Sequence, residues 1–146
     1  YLQGGYSTNM SELQDYLNSM SSDITDDVAV SERFVDKKGN LLKFKIKSMS
    51  YDDYESARIQ ATIMPKRKNE QIRFDSKIFN DKIIINNVID PNFKDAESIK
   101  KKGCATPEQY LHETLLPGEI NELANKISAL SGFDKDFDEE INEAKN

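Results

Sequence analysis

The sequence has little of the chemistry that most enzymes and secreted proteins use. It contains one cysteine, Cys104, and one histidine, His112. A single cysteine excludes an internal disulfide and a thiolate metal site, which is the usage expected in a reducing compartment. No apolar run approaches the roughly 20 residues of a membrane-spanning helix, and no secretory leader is recognisable. We therefore expect a soluble, cytoplasmic protein.

Catalytic and phosphate-binding motifs are also missing. The six glycines are scattered singly apart from Gly4-Gly5, so there is no glycine-rich phosphate loop. Cys104 and His112 could in principle form a nucleophile and its base, but no local motif surrounds either residue. His112 lies one helical turn after Glu108, and that spacing predicts a surface pair. The sequence thus predicts a non-catalytic protein without a cofactor.

One acidic segment resembles the first positions of a calcium-binding loop, namely Asp134, Asp136 and Asp138. The sixth position of such a loop needs glycine, and here it is Glu139. The twelfth position, which should supply a bidentate glutamate, is Lys145. These departures remove the signal, and no metal site is predicted.

Composition divides the chain into three parts. Residues 1–9 carry no charge and no periodicity, so we interpret them as the remnant of an expression tag. Residues 10–133 have the length of a single domain. Residues 134–146 are acidic, with only Phe137 and Ile141 apolar, and are expected to form a tail or a frayed helix.

Charge is segregated along the chain. Residues 1–32 hold six acidic and no basic residues, whereas residues 33–102 hold 17 basic and 10 acidic residues. Residues 103–146 hold three basic and 10 acidic residues. A basic middle flanked by acidic ends can close on itself within a monomer or between neighbouring copies.

The clearest helix pattern lies at the end of the predicted domain. Pro117 suits the first helical position, Glu119 places negative charge in the first turn, and Gly132 can turn left-handed after the last turn. Five apolar residues recur at spacings of three and four: Leu116, Ile120, Leu123, Ile127 and Leu130. Such a stripe must be covered, so we expect the fold to be organised around this helix.

Polar capping residues predict the starts of shorter helices. Ser11 and Thr106 are each followed three residues later by glutamine, as in a capping box. Ser50 and Asp95 are further candidate caps. The helix after Ser50 should end at Pro65 and pack through four residues: Tyr54, Ala57, Ile59 and Ala61.

The run IFNDKIIINNVID is ambiguous between a buried strand and a helix. Its length favours a helix that runs from Asp75 to Asp90 and stops before Pro91. One broad face should carry five residues: Ile78, Phe79, Lys82, Ile85 and Ile89.

Alternating apolar residues from Val28 to Ile46 predict a β-hairpin around the turn DKKGN. Lys43, Lys45 and Lys47 fall on the opposite face of its second strand, as a solvated or edge-protecting row or as an anion-binding surface. The expected fold class is therefore α+β, a compact and mainly helical domain with one small β-hairpin.

Five segments of this chain occur in a particular order between Met10 and Phe133: SELQDYL, FVDKKGNLLKFKIKSMSYDDYESAR, FDSKIFNDKIIINNVIDPNF, DAESIKKKG and LLPGEINELANKISALSGF. In their order and spacing they resemble the XkdN-like tail assembly chaperones of tailed bacteriophages. The resemblance implies a non-catalytic protein of the bacterial cytoplasm. It further implies that the protein binds the tape-measure protein and keeps it soluble until tube subunits polymerise around it.

Candidate partner contacts lie near the two ends of the chain. They are Leu13, Tyr16 and Leu17 in the first predicted helix, and Phe137 and Ile141 in the tail. Both elements are too short and too sparsely apolar to be indispensable core. Helix-in-groove contact with the tape-measure protein is the expected mode, and the segregated charge predicts self-association.

The alternative is a regulatory protein of a phage or its host that binds nucleic acid. Its basic middle block would supply the contacts, with Lys66, Arg67 and Lys68 nearest to a phosphate-binding cluster. Three consecutive basic residues are fewer than the runs usually associated with nucleic-acid binding, so this function is the less favoured one.

Overall fold

Six helices and two small antiparallel sheets make up the described part of the chain, residues 10–133, in a computed structural model. The fold class predicted from the sequence, α+β and mainly helical, is confirmed. None of the described helices combines the length and the apolar composition that crossing a lipid bilayer requires. The helices are α1 Glu12–Ser19, α2 Tyr51–Ala61, α3 Ser76–Asn87, α4 Ala96–Lys101, α5 Pro107–Thr114 and α6 Pro117–Leu130.

Local capping chemistry sets where the helices begin. Each predicted cap, at Ser11, Ser50, Asp95 and Thr106, accepts a backbone N–H from the first turn of its helix. The second half of the capping box differs at Thr106. The Gln109 side chain accepts the N–H of Ala105, the residue before the cap, at 2.7 Å. The stop predicted at Gly132 after α6 is also observed, since this glycine has a positive φ, as does Gly103 after α4.

The main sheet has the strand order β1-β2-β5 and is antiparallel throughout: β1 Thr25–Val28, β2 Phe44–Lys47 and β5 Val88–Asp90. The predicted second strand and turn are observed, with a single bridge between Val35 and Leu41 across the turn. The predicted first strand was wrong, because β1 ends at Val28, where that strand was expected to begin. In the turn, the Asp36 carboxylate accepts the N–H groups of Lys38 and Asn40 at 2.8 and 2.9 Å. The Asp36 carboxylate thus supplies the acceptor that these two N–H groups need within a tight turn.

The lysine row lies on the central strand, so its interpretation as edge protection is wrong. Phe44 and Ile46 of β2 face the core, and Lys45 between them is exposed. The register places Asp27 of β1 and Asp90 of β5 directly opposite Lys45 on either side. Residues opposite one another share a face of the sheet, so two carboxylates flank this lysine and offset its charge.

The isoleucine-rich run is a helix for most of its length, but the prediction was wrong at its end. α3 stops at Asn87, and Val88 turns into an extended conformation that pairs with Ile46 of β2. Val88 and Ile46 are 42 positions apart in the sequence, so no local pattern of residues could predict that they pair. Similarly, α2 ends at Ala61 rather than Pro65, because Thr62–Ile63 (β3) pairs with Arg73–Phe74 (β4).

The core is built around α3, which is buried on several sides rather than along one face. Phe79, Ile83, Ile84 and Ile85 are all buried. The predicted face is therefore too narrow, and it wrongly included Ile89, which follows the helix and is exposed. Against α3 pack buried residues of the other elements: Phe44, Ile46, Ala57, Ala61, Leu111, Leu115, Leu123, Ala124 and Ile127.

A matched pair of isoleucines tests this arrangement. Ile84 on α3 is 0% exposed, whereas Ile59 on α2, which we expected to pack, is 65% exposed. Ile84→Ala should lower the free energy of unfolding by about 3 kcal/mol, since it leaves a cavity in the core. Ile59→Ala should change it by less than about 0.5 kcal/mol. Urea denaturation measures both values, and similar losses in the two variants would contradict the observed packing.

Candidate partner-binding site

Helix α1 is an amphipathic helix that lies outside the core. Its apolar residues Leu13, Tyr16 and Leu17 are 66%, 59% and 63% exposed, and no residue of the helix is buried. Leu13 and Leu17 are one turn apart, with Tyr16 beside them, so the three side chains form one stripe. We refer to residues 10–20 as the arm. Its apolar stripe is uncovered within the described chain, as expected of a surface that binds a partner.

The arm is attached to the body at a defined point. Ser48, just after β2, exchanges hydrogen bonds with Ile24 at 2.8 and 3.0 Å, and its hydroxyl donates to the carbonyl of Ser22 at 3.0 Å. The neighbouring N–H of Met49 donates to the Ser131 hydroxyl at 2.9 Å, at the C-terminal end of α6. The segment that follows the arm is therefore held, whereas no residue of the helix itself is buried.

A groove of about 480 Å³ separates the first turns of α3 and α6. This volume lies within the range of sites that hold a small ligand or a few side chains. Leu115, Pro117 and Ile120 supply its apolar surface. We refer to the whole set of lining residues as the groove: Ser76, Lys77, Asn80, Asp81, His112, Leu115, Pro117, Ile120 and Asn121.

The polar wall of the groove contains a buried acid and an exposed histidine. The Asp81 carboxylate is 7% exposed and lies 2.8 Å from His112 Nε2 in a hydrogen bond. Burial raises the pKa of Asp81, and the charge and hydrogen bond of His112 oppose that rise. The predicted pairing of His112 with Glu108 is wrong, because Glu108 instead binds Lys82 at 2.9 Å.

Asn80 is the unusual member of the groove. It is 8% exposed, yet its side-chain amide forms no hydrogen bond to another described residue. Its amide atoms are not among the fully buried side-chain atoms that lack a partner, which in the described chain are Asn87 Oδ1 and Ser128 Oγ. The Asn80 amide is therefore open to the groove, where water or a bound molecule can hydrogen-bond to it.

Arg33 and Glu119 form a clasp that positions one side of the groove. Arg33 Nε and Nη2 donate to the two carboxylate oxygens of Glu119 at 2.7 and 2.8 Å, and Nη2 also donates to the Thr114 carbonyl at 2.8 Å. Glu119 accepts the N–H of Leu116 at 2.8 Å as well. These bonds fix the corner between α5 and α6, which carries Leu115 and Pro117 into the groove.

The clasp strongly favours the charged form of Glu119. Hydrogen bonds from Arg33 lower its pKa from 4.5 to about 2, against the opposing effect of burial. The side chain of Glu119 is 7% exposed and that of Arg33 45%, so the pair is partly desolvated. The guanidinium also lies 4.3 Å from the ring centroid of Phe34, where a cation–π contact orients it.

Known proteins of similar sequence show which family this chain comes from. The sequence profile described as "Phage XkdN-like tail assembly chaperone protein" matches residues 11–145. The chain belongs to this family. The "Phage-like element PBSX protein XkdN" of Bacillus subtilis (strain 168) is 30% identical over 122 residues, which cover 82% of each chain. This match agrees with the resemblance found in the sequence.

YqbN, an uncharacterised protein of the same strain, is 28% identical to this tail assembly chaperone over 123 residues, covering 82% of this chain and 83% of YqbN. A crystal structure of the protein YqbN superposes with a TM-score of 0.64 at 25% identity. The similarity covers 80% of this chain and 92% of that chain, so the two proteins share the fold through most of their length.

The structure brings together three of the five residues predicted to contact a partner in this chaperone. Leu13, Tyr16 and Leu17 share the stripe of the arm, and their role in binding stays a prediction. Phe137 and Ile141 lie outside the described residues, as do the aspartates of the loop-like acidic segment. Among the described residues, no group of histidine, cysteine and acidic side chains could hold a metal ion.

Cys104 and His112 do not contact each other in any hydrogen bond of the described chain. The thiol donates to the Lys102 carbonyl at 3.8 Å, and the imidazole binds Asp81. Nucleophilic catalysis needs the thiol and its base within hydrogen-bond reach of each other. The thiol and the imidazole therefore have separate hydrogen-bond partners in the described chain.

The groove and the clasp were not predicted from the sequence, although the position of Glu119 was one sign of the clasp. Glu119 precedes Leu123 by four residues and Ile127 by eight, which places it on the buried face of α6. We assigned it only a role at the helix dipole. A buried carboxylate needs a partner. The position of Glu119 could therefore have predicted an ion pair with a basic residue from elsewhere in the chain.

A glutamate pair tests the clasp. Glu119→Gln keeps the size of the side chain but removes the charge, and should lower the free energy of unfolding by about 2 kcal/mol at pH 7. The matched control, Glu108→Gln, breaks an ion pair whose members are both about one-third exposed and should cost less than about 1 kcal/mol. Chemical denaturation at pH 7 gives both values.

The stabilisation that the clasp provides should also depend on pH. Because the folded-state pKa of Glu119 is lowered to about 2, its stabilisation is complete above pH 4.5 and lost as pH falls towards 2. Glu119→Gln should therefore reduce the loss of stability across this window. Equal slopes of stability against pH in the wild type and the variant would show that the clasp does not form.

Proposed function

We propose that this tail assembly chaperone binds the tape-measure protein in the bacterial cytoplasm and keeps it soluble during tail assembly. The observation that carries the proposal is the arm, an amphipathic helix whose apolar stripe is exposed. A free apolar stripe is unfavourable in water unless a partner covers it for part of the time. Family membership supports a partner that takes part in phage tail assembly.

The chemistry of the arm suits a helical partner. A long, helix-rich tape-measure chain would expose apolar stripes of its own before the tail tube encloses it. Two such stripes can cover each other, with anchors at spacings of three and four residues. Glu12 and Asp15 accompany the stripe and the arm has no basic residue, so it should prefer apolar segments with lysine or arginine beside them.

The proposed contact residues are Leu13, Tyr16 and Leu17 of the arm, together with Phe137 and Ile141 near the end of the chain. Coverage of a long partner would require many copies. The acidic ends and the basic middle of the sequence favour self-association of those copies, with opposite charges in contact. Such association should weaken as salt screens the charges.

Nucleic-acid binding receives less support from the structure. A phosphate-binding surface needs cations that are free to replace counterions. On the main sheet, however, Lys45 lies between Asp27 and Asp90. The loop cluster of Lys66, Arg67 and Lys68 is exposed but short. Acidic residues therefore interrupt the basic surface at Lys45, whereas Lys47 lies opposite Thr25.

Coexpression with a fragment of the cognate tape-measure protein tests the main proposal. The wild-type chaperone should raise the soluble yield of the fragment and copurify with it. Leu13→Ala, Tyr16→Ala and Leu17→Ala together should abolish both effects, because they remove the apolar anchors of the arm without disturbing any buried residue.

The matched control replaces one tyrosine and two aliphatic residues that are exposed elsewhere, with Tyr51→Ala, Leu42→Ala and Ile59→Ala. It should leave solubilisation intact. Retention of activity in the arm variant with loss in the control would move the binding surface away from the arm. A fragment that stays insoluble with the wild-type protein would contradict the proposed function.

An electrophoretic mobility shift assay tests the alternative function. We expect no specific shift in physiological salt, and any shift at low salt should fall steeply as salt rises. A shift that persists in physiological salt and disappears in a variant with Lys66, Arg67 and Lys68 changed to alanine would instead support the regulatory function.

A further inference from the structure

We infer that the acidic tail, residues 134–146, covers a basic hairpin of the same chain. The basic hairpin is residues 62–74, which form β3, β4 and the loop between them. The inference goes beyond the proposed function, because this contact requires neither a second copy of the chain nor the tape-measure protein. It concerns a surface whose residues belong to neither the arm nor the groove.

The basic hairpin carries a surplus of positive charge, with four basic residues and one acidic residue. Lys66, Arg67 and Lys68 lie in the loop, and Arg73 lies in β4. All four residues are exposed and form no ion pair with another described residue. The one acid, Glu70, accepts the backbone N–H of Lys66 at 3.2 Å. The basic hairpin can therefore offer several charged groups to an acidic segment.

Two exposed apolar residues accompany these charges. Met64 follows β3 and is 62% exposed, and Ile72 precedes β4 and is 57% exposed. Since Ile63 pairs with Arg73, Met64 and Ile72 are the next residues outward on the two sides of the hairpin. Exposed apolar residues beside basic side chains favour an occupant that has both apolar and acidic side chains.

The tail has the complementary composition. Residues 134–146 contain six acidic and two basic residues, and their two large apolar residues are Phe137 and Ile141. A single ion pair at a surface contributes little, because both charges are well solvated without it. Several such pairs together with burial of apolar side chains give a more favourable contact. The tail can supply both kinds of interaction to the basic hairpin.

The last described residue, Phe133, lies near the basic hairpin. Its ring centroid is 5.4 Å from that of Tyr54, and the Tyr54 centroid is 6.0 Å from that of Phe79. Phe79 in turn lies 5.6 Å from Phe74 of β4, and Ile72 precedes Phe74 by two residues, or about 7 Å. Residues 134–141 can span roughly 26 Å, which exceeds these distances laid end to end. The tail is therefore long enough to reach the loop.

The covalent connection between the tail and the basic hairpin favours a contact within one chain. A segment joined to its site by a short linker meets that site at an effective concentration on the order of millimolar. A second copy would have to reach this concentration to compete. Because the charges of the hairpin are exposed, salt should weaken the contact.

The contact would protect the basic hairpin from other anions. An uncovered basic surface attracts nucleic acid without regard to its sequence, and the acidic tail would occupy the surface instead. A further consequence rests on the proposed function, in which Phe137 and Ile141 contact the tape-measure protein. The hairpin would cover these two residues until a tape-measure segment displaced the tail.

Two pairs of cysteines in the full chain test the inference. Cys104→Ser removes the native thiol, and Ile141→Cys places a thiol in the tail. The second thiol is placed on the basic hairpin with Ile72→Cys or, as the control, at the start of α2 with Tyr51→Cys. Both of these positions are exposed, at 57% and 76%. Glutathione buffers give the equilibrium for closing each disulfide, which measures the effective concentration of one thiol near the other.

The control is placed so that a tail without a docking site would favour it. Tyr51 and Phe133 line the same small cavity, so Tyr51 is close to the point where the tail begins. A tail that covers the hairpin should reverse this preference. At low salt, the effective concentration for the Ile72 pair should exceed that for the Tyr51 pair at least about tenfold, and added salt should reduce the difference.

Charge reversal tests whether electrostatic attraction holds the tail in place. Reversal of three loop charges should bring the Ile72 pair down to the control value, and further reversal of three tail charges should restore it. The substitutions are Lys66→Glu, Arg67→Glu and Lys68→Glu in the hairpin, and Asp138→Lys, Glu139→Lys and Glu140→Lys in the tail.

Three outcomes would overturn the inference. One is an effective concentration for the Ile72 pair that does not exceed the control. Another is a value that reversal of the loop charges leaves unchanged, or that reversal of the tail charges fails to restore. The third is a disulfide that forms only between chains, seen as a dimer on a non-reducing gel, because it would place the tail on a second copy. None of these measurements involves the tape-measure protein, so their failure is distinct from failure of the proposed function.

Discussion

Burial of α3 is the constraint on which the rest of the structure depends. Phe79, Ile83 and Ile84 are almost completely inaccessible, so other elements must cover the helix from several directions. α2 and α6 do so along its length, and α5 and the main sheet complete the enclosure. Polar residues on a helix in this position cost free energy unless their polar atoms find partners. Asp81 binds His112 and Asn80 opens onto the groove, whereas Asn87 donates to the Ile83 carbonyl but its Oδ1 has no partner in the described chain.

The groove is thus the place where the enclosure of α3 is incomplete, and the clasp maintains it. Arg33 comes from the segment between β1 and β2, and Glu119 from the first turn of α6, so their ion pair ties the two halves of the sequence together. By fixing the Thr114 carbonyl and the Leu116 N–H, the clasp holds the α5–α6 corner away from the start of α3. Charge and hydrogen bonding thus fix the corner whose Leu115 and Pro117 line the groove.

The features that were predicted correctly from the sequence are those formed by residues close together in the chain. Thr106 caps its helix through an N–H three residues away, and the Asp36 turn closes within five residues, so each is complete in a short window. Strand β5 was not predicted, because it follows directly from α3 and pairs with β2, which is distant in the sequence. The clasp was not predicted, because 86 positions separate Arg33 from Glu119. α6 was correctly predicted as a helix. The periodicity of apolar residues could not show, however, that α3 is buried on more sides than α6.

The arm stands apart from the enclosure of α3. Leu13, Tyr16 and Leu17 are all more than half exposed, and Ser11 caps the helix by accepting the Gln14 N–H at 3.0 Å. A helix of eight residues is marginal in water, because nucleation costs more free energy than a few backbone hydrogen bonds return. Most helices in proteins are stabilised by burial of an apolar face, and the described chain provides no such cover for this stripe. Under the proposed function, a partner that covers the stripe would therefore stabilise the helix as well as bind it.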